Sequence, residues 1–196
     1  MTGDAGGEGR PKIDTTVPHS ARIWNYWLGG KDNYAVGRQA GEQTIAVLPE
    51  IVDIARASRQ FLVRVVRYLA ADAGIRQFLD IGTGLPTVNN THEVAQQVAP
   101  ESRVAYVDND PLVLAHARAL LTSSLEGATQ YIEADARDVG TILEGAAGTP
   151  DFTRPVAITM LGILPFIGDD AEAKGIVTRL LAAAPGATRR AHRRQA

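Results

Sequence analysis

The chain has 196 residues, 45% hydrophobic and 21% charged, a balance that suits one globular α/β domain with a sizeable core and excludes fibrous or wholly disordered classes. A formal net charge of -2 gives no global field for nucleic acid or acidic membranes, and the absence of cysteine removes disulfides, thiolate metal sites and a cysteine nucleophile. No apolar run approaches the roughly 20 residues that span a bilayer, and the lack of cysteine is consistent with a reducing cytoplasm, the expected location.

Residues 1–12 read as a flexible tail without a signal-peptide centre. From Ile13 to Tyr34 the chain carries both tryptophans and two of its five tyrosines. Ser20 is placed to cap a short helix with Ile23, Trp27 and Leu28 on its apolar face, and Gly29-Gly30 would stop it. Two readings stand for this segment. It is a hydrophobic arm packed on the core, or a lid whose aromatics, interleaved with Arg22, Asn25, Lys31 and Asn33, stack on a ring and bond a carboxylate. A short helix is predicted over residues 38–47 and a longer one from Pro49, with Ile51, Ile54, Ser58, Leu62, Val65 and Leu69 on its apolar stripe and Gly74 at its end. Asp53, Arg56, Arg59, Arg64 and Arg67 fall off that stripe and read as a solvated face. Residues 13–74 thus form an expected helical arm and lid.

A core over residues 75–184 follows. Gln77-Phe78-Leu79-Asp80-Ile81 reads as a buried strand delivering the turn Gly82-Thr83-Gly84-Leu85-Pro86-Thr87, and Asn90 with Glu93 has capping-box spacing for a helix to Val98. Arg103 to Val107 is a second strand ending in Asp108-Asn109, and Asp110-Pro111 opens the next helix. Thr129 to Ile132 is a third strand leading to Glu133-Ala134-Asp135-Ala136, followed by helix around Val139 to Leu143. Pro155 to Ile163 is a fourth strand, and Asp169 to Ala184 a fourth crossover helix. This alternation predicts a doubly wound, Rossmann-like parallel sheet, with ligands beyond the carboxyl ends of its strands. Asp80, Asp108, Asp135 and Met160 then share one rim.

Each rim carboxylate has a bland and a functional reading. Asp80 orients the glycine turn by accepting its backbone N–H groups, or serves a ligand. Asp108 caps a loop, or accepts both hydroxyls of a ribose. Asp135 shapes a turn, or takes the amino group of an adenine while the Ala136 backbone reads the ring edge. Gly82 and Gly84 alone fit several nucleotides, but the dinucleotide fingerprint needs a small residue where this chain has Thr87, and Pro86 removes a backbone donor from the turn. A cofactor without a pyrophosphate is therefore expected.

Asp80-Ile81-Gly82-Thr83-Gly84, Val107-Asp108-Asn109-Asp110 and Glu133-Ala134-Asp135-Ala136 resemble, in that order and spacing, the first three motifs of class I S-adenosylmethionine-dependent methyltransferases. Together with Pro18 to Tyr34, Phe78 to Thr87 and Asn90 to Gln96, they resemble more closely an actinobacterial methyltransferase-like family of largely unassigned substrate. The resemblance implies S-adenosylmethionine as cofactor, with its methionine part over Gly82, Thr83 and Gly84, its ribose on Asp108, its adenine near Asn109, Asp135 and Ala136, and Met160-Leu161-Gly162 closing the pocket. It also implies that the arm from Arg22 to Tyr34 covers the cofactor. The acceptor is unidentified, with a small molecule preferred. His19, His92, Tyr26 and Tyr34 are the general-base candidates, none of them assigned, and nothing has metal-ligand spacing.

A full core of this class has seven strands, whereas residues 185–196 hold four arginines and no strand-like apolar run. The reading is a C-terminally truncated core with a basic tail, an open edge on the fourth strand, and self-association through it. A non-catalytic, cofactor-binding or interaction remnant remains an alternative, as does an NAD-dependent oxidoreductase.

Overall fold

The computed structural model describes residues 13–120 and 122–184. The expected tails at 1–12 and 185–196 lie outside those residues, and with them the basic tail and whatever follows the last helix. Three helices come first: α1 (Ser20–Trp27), α2 (Ala35–Val47) and α3 (Ile51–Ala71). His19, rather than Ser20, caps α1, its Nδ1 accepting from the Ala21 N–H, and Gly29 leaves the helix at φ +80. Trp27 is buried and donates through Nε1 to the Gly41 carbonyl at 3.2 Å, which ties α1 to α2.

Strands and helices then alternate: β1 (Gln77–Ile81), α4 (Thr91–Val98), β2 (Arg103–Asp108), α5 (Pro111–Leu120), β3 (Ala128–Glu133), α6 (Val139–Gly145), β4 (Val156–Thr159) and α7 (Asp170–Ala183). The four strands are parallel, in the order β3-β2-β1-β4. Period-two alternation sorts β1 onto two faces. Leu79 and Ile81 pack with Ile142, Ile176 and Leu180 of α6 and α7, while Phe78 packs with Leu62, Val66, Ala70 and Val94 of α3 and α4. Asp80 shares the second face with Phe78, so its side chain is directed toward α3 and α4.

Strand order reverses between β1 and β4, the place where an open α/β sheet leaves a crevice at its carboxyl edge. β4 is shorter than the Pro155 to Ile163 run predicts. Gly162 at φ +76 turns the chain, and a 3-10 helix over Leu164–Phe166 carries it away from the sheet. The buried stripe of α3 also differs from expectation: it runs through Ala55, Leu62, Val66 and Ala70, while Ile54 is exposed. No helix of the described residues is long and apolar enough to cross a membrane.

Candidate functional site

A cleft opens at the carboxyl ends of the strands, with the glycine turn as its floor. Gly82 N–H and Thr83 N–H both donate to the Val107 carbonyl, at 2.9 and 3.2 Å, which folds the turn back against β2. Gly82 has φ +73, and a Cβ there would come within 2.6 Å of Ile163. Only glycine fits, for conformation and for space. Beneath the turn Asp80 is buried, and each carboxylate oxygen accepts one hydroxyl at 2.7 Å, from Thr91 and from Thr159. These partners replace the backbone N–H groups expected for an orienting role. Burial raises the Asp80 pKa, against which the two hydroxyls and the nearby Arg59 act.

Arg59 reaches the same cleft from α3. Its Nη2 donates to the Asn89 carbonyl at 3.0 Å and to Asn90 Oδ1 at 3.1 Å, while its Nε is buried with no partner among the described residues. Burial lowers its pKa, and Asp80 pulls the other way. A buried guanidinium N–H without an acceptor leaves a desolvation cost that an anion in the cleft would relieve. Asp80 and Arg59 thus flank the turn as a buried carboxylate and a half-buried guanidinium with hydrogen-bonding capacity left over.

Asp108 stands across the turn at the end of β2. Its Oδ2 accepts the Gly84 N–H at 2.8 Å and its Oδ1 the Asp110 N–H at 2.9 Å, so it does cap the loop. Each oxygen retains a second lone pair, and the residue lines the cleft. Burial raises its pKa and the two backbone N–H groups offset this. Further along, Asn109 donates to Asp135 Oδ2 at 3.2 Å, and Ala136 is buried. Asp135 is held below the usual carboxylate range, chiefly by the Arg137 backbone N–H and then by the Arg137 side chain. Arg137 also bonds the Phe166 carbonyl at 3.1 Å, joining the end of β3 to the 3-10 helix.

Helix α1 closes the cleft from above with Ser20, Trp24, Asn25 and Leu28, and α3 contributes Ala55, Ser58 and Leu62. A Cβ on Gly162 would lie 2.9 Å from the Trp24 ring. Asp80, Gly82, Thr83, Gly84, Asp108, Asn109, Asp135 and Ala136 therefore all line one cleft. Met160 does not. It packs against the apolar cluster below the sheet, and Leu161, Gly162 and Ile163 occupy the rim instead. None of the base candidates lines the cleft either. His92 is buried, its Nδ1 2.8 Å from the Tyr106 hydroxyl, which also accepts the His92 backbone N–H. Tyr26 faces Glu42 at 3.3 Å, His19 lies 3.3 Å from Asp110, and the Tyr34 ring sits under Arg22. Among the described residues no cluster of side chains could hold a metal ion.

Arg59, Arg137 and the α3 residues were not legible as site residues. The signal for Arg59 was present: it sits on the stripe Ala55, Leu62, Val66, Ala70, and a charge on a buried stripe calls for a partner.

A family model described as S-adenosyl methyltransferase matches residues 6–190. A DUF574 family protein from Streptomyces avermitilis MA-4680 has a similar solved structure, with 51% identity and a TM-score of 0.85 over 89% of this chain and 67% of its own. A candidate methyltransferase from Thermobifida fusca YX is 43% identical with a TM-score of 0.81, over 88% of this chain and 65% of its own. This chain thus spans 67% and 65% of the lengths of these two relatives. No curated protein matches it.

Proposed function

Since the chain belongs to the S-adenosyl methyltransferase family, whose cofactor is S-adenosylmethionine, we propose that the cleft binds this cofactor and presents its methyl group to a small-molecule acceptor beneath α1. The observation that carries the reading is the Asp80 and Arg59 pair, a buried carboxylate and a part-buried guanidinium with a shielded Nε, each with unused hydrogen-bonding capacity, on either side of a glycine turn. An amino-acid tail carries an ammonium and a carboxylate, the two groups such a pair accepts. Asp80 takes the ammonium, Arg59 the carboxylate, and the second lone pairs of Asp108 the ribose diol. Asn109, Asp135 and Ala136 border the adenine, with Arg137 fixing Asp135.

When bound, the cofactor supplies an electrophilic methyl group on a sulfonium. The chain's own residues align and dehydrate. Gly82, Thr83 and Gly84 hold the main chain close to the ligand, and Trp24, Leu28, Leu62, Leu161 and Ile163 exclude water from the acceptor side.

Family membership gives the oxidoreductase alternative no support, and the turn agrees physically. The Thr87 N–H donates to Asn90 Oδ1 at 3.1 Å, and Asn90 N–H to Glu93 Oε2 at 2.8 Å, so the start of α4 is already closed by its own acceptors. Asp108→Ala tests the ribose assignment. Two hydrogen bonds to a charged acceptor, each about 1.5–3 kcal/mol, are lost, so affinity for S-adenosylhomocysteine should fall by more than about a hundredfold. Unchanged affinity in a folded variant rejects the assignment.

A further inference from the structure

Asp110 lies just outside the cleft, yet it is tied to both the floor and the roof. Its carboxylate is fully buried and held by one edge of the Arg22 guanidinium, with Nε to Oδ2 at 2.8 Å and Nη2 to Oδ1 at 2.9 Å. Oδ1 also accepts the Leu112 N–H at 2.9 Å, closing the first turn of α5. Through its main chain Asp110 donates to Asp108 Oδ1 at 2.9 Å, fixing the carboxylate that faces the cleft. Arg22 is itself buried in α1, donates through Nη1 to the Asp14 carbonyl, and lies over the Tyr34 ring at 5.2 Å.

A buried ion pair is a poor choice for stability alone, because well-packed apolar residues serve as well or better. What a two-pronged arginine contact adds is fixed geometry. Here that geometry spans 88 positions of sequence and joins α1, which roofs the cleft, to the turn that follows Asp108 at the end of β2. Resting on the cofactor reading above, we infer that Arg22 and Asp110 are positioning residues for cofactor binding. One contact sets the ribose carboxylate through the Asp110 main chain and sets the roof through α1.

Both tryptophans of the chain lie on α1, so intrinsic fluorescence reports on the roof. Arg22→Lys keeps the charge and loses the fork. The expected result is S-adenosylhomocysteine affinity about tenfold weaker, mainly through faster dissociation, with a red-shifted tryptophan emission in the free protein. In combination with Asp108→Asn the Arg22→Lys penalty should shrink, since both changes act through one carboxylate. A folded Arg22→Lys chain that binds as the parent does, or penalties that simply multiply, overturn the inference. Should Arg22→Lys fail to fold, Tyr34→Leu removes the ring under the guanidinium while keeping an apolar side chain against the cluster of Ala21, Leu85, Leu112 and Val113; weaker binding supports the role, and unchanged binding with unchanged emission overturns it. Absence of binding by the parent chain defeats the cofactor reading and the positioning role together, whereas parent binding with an indifferent variant defeats the positioning role alone.

Discussion

Asp80 is the residue at which stability and function pull in opposite directions. Its carboxylate is buried with hydroxyl partners but no direct ion pair, and its pKa in the folded chain lies above the ordinary value of 3.8. A raised carboxyl pKa means that the folded state holds the proton more tightly than the unfolded state. The associated stability is therefore fully present below about pH 3.8 and is lost as pH rises through the folded-state pKa. Asp80→Asn removes this loss while keeping the shape and giving the Thr91 and Thr159 hydroxyls a partner. The melting temperature of Asp80→Asn, relative to the parent, should improve as pH rises above 3.8 and level off once it passes the folded-state pKa, while affinity for S-adenosylhomocysteine falls. A melting difference that is constant with pH contradicts the burial account. Arg59→Gln should also weaken cofactor binding by about tenfold, the cost of one charge-assisted contact, and should weaken 5′-methylthioadenosine, which lacks the amino-acid tail, far less; calorimetry with both ligands makes the comparison. Asp108 and Asp135 were legible because strand ends point at ligands in such sheets. Arg59 was not, because a helix stripe drawn through Ile54 and Ser58 is rotated by one residue from the one that packs. Asp80 was placed correctly on the rim, but its partners are threonines distant in sequence, at the start of α4 and the end of β4, which no local pattern announces.

At the scale of elements, α1 both packs on its neighbour and borders the cleft. Trp27 packs inward against α2, and Trp24, one turn earlier on an adjacent face, borders the cleft and meets Trp27 edge-on at 5.6 Å. An amphipathic helix can be arm and lid at once, since its two aromatic positions serve different sides. The helix starts were readable where caps announce them, as with Asn90 and Glu93 for α4 and Asp169 for α7. The end of β4 was not, because Leu161, Ile163 and Leu164 continue the apolar run past the strand. Gly162 stops it. An alanine there must adopt φ +76 and place its Cβ 2.9 Å from Trp24, so Gly162→Ala should cost about 1–2 kcal/mol in backbone terms alone and shift the tryptophan emission. Chemical denaturation read by fluorescence checks both. A variant as stable as the parent with the same spectrum shows that Trp24 does not rest on this turn.

For the molecule as a whole, the alternation of strands and helices was enough to give a parallel doubly wound sheet, and the reversal of strand order between β1 and β4 then locates the cleft. What the sequence could not convey is how the helical segment ahead of the sheet folds over that cleft, because the Arg22 to Asp110 contact spans 88 positions and has no signature in either neighbourhood. The same arrangement makes ligand binding a property of the assembled fold, with floor, rim and roof drawn from α1, α3 and all four strand ends. The central claim is that this assembly is an S-adenosylmethionine site. Titration calorimetry of the chain with S-adenosylhomocysteine and, in parallel, with NAD tests it most directly. The account predicts saturable one-to-one binding of S-adenosylhomocysteine and no heat with NAD; a folded chain that gives no heat with S-adenosylhomocysteine, or that binds NAD in its place, contradicts it.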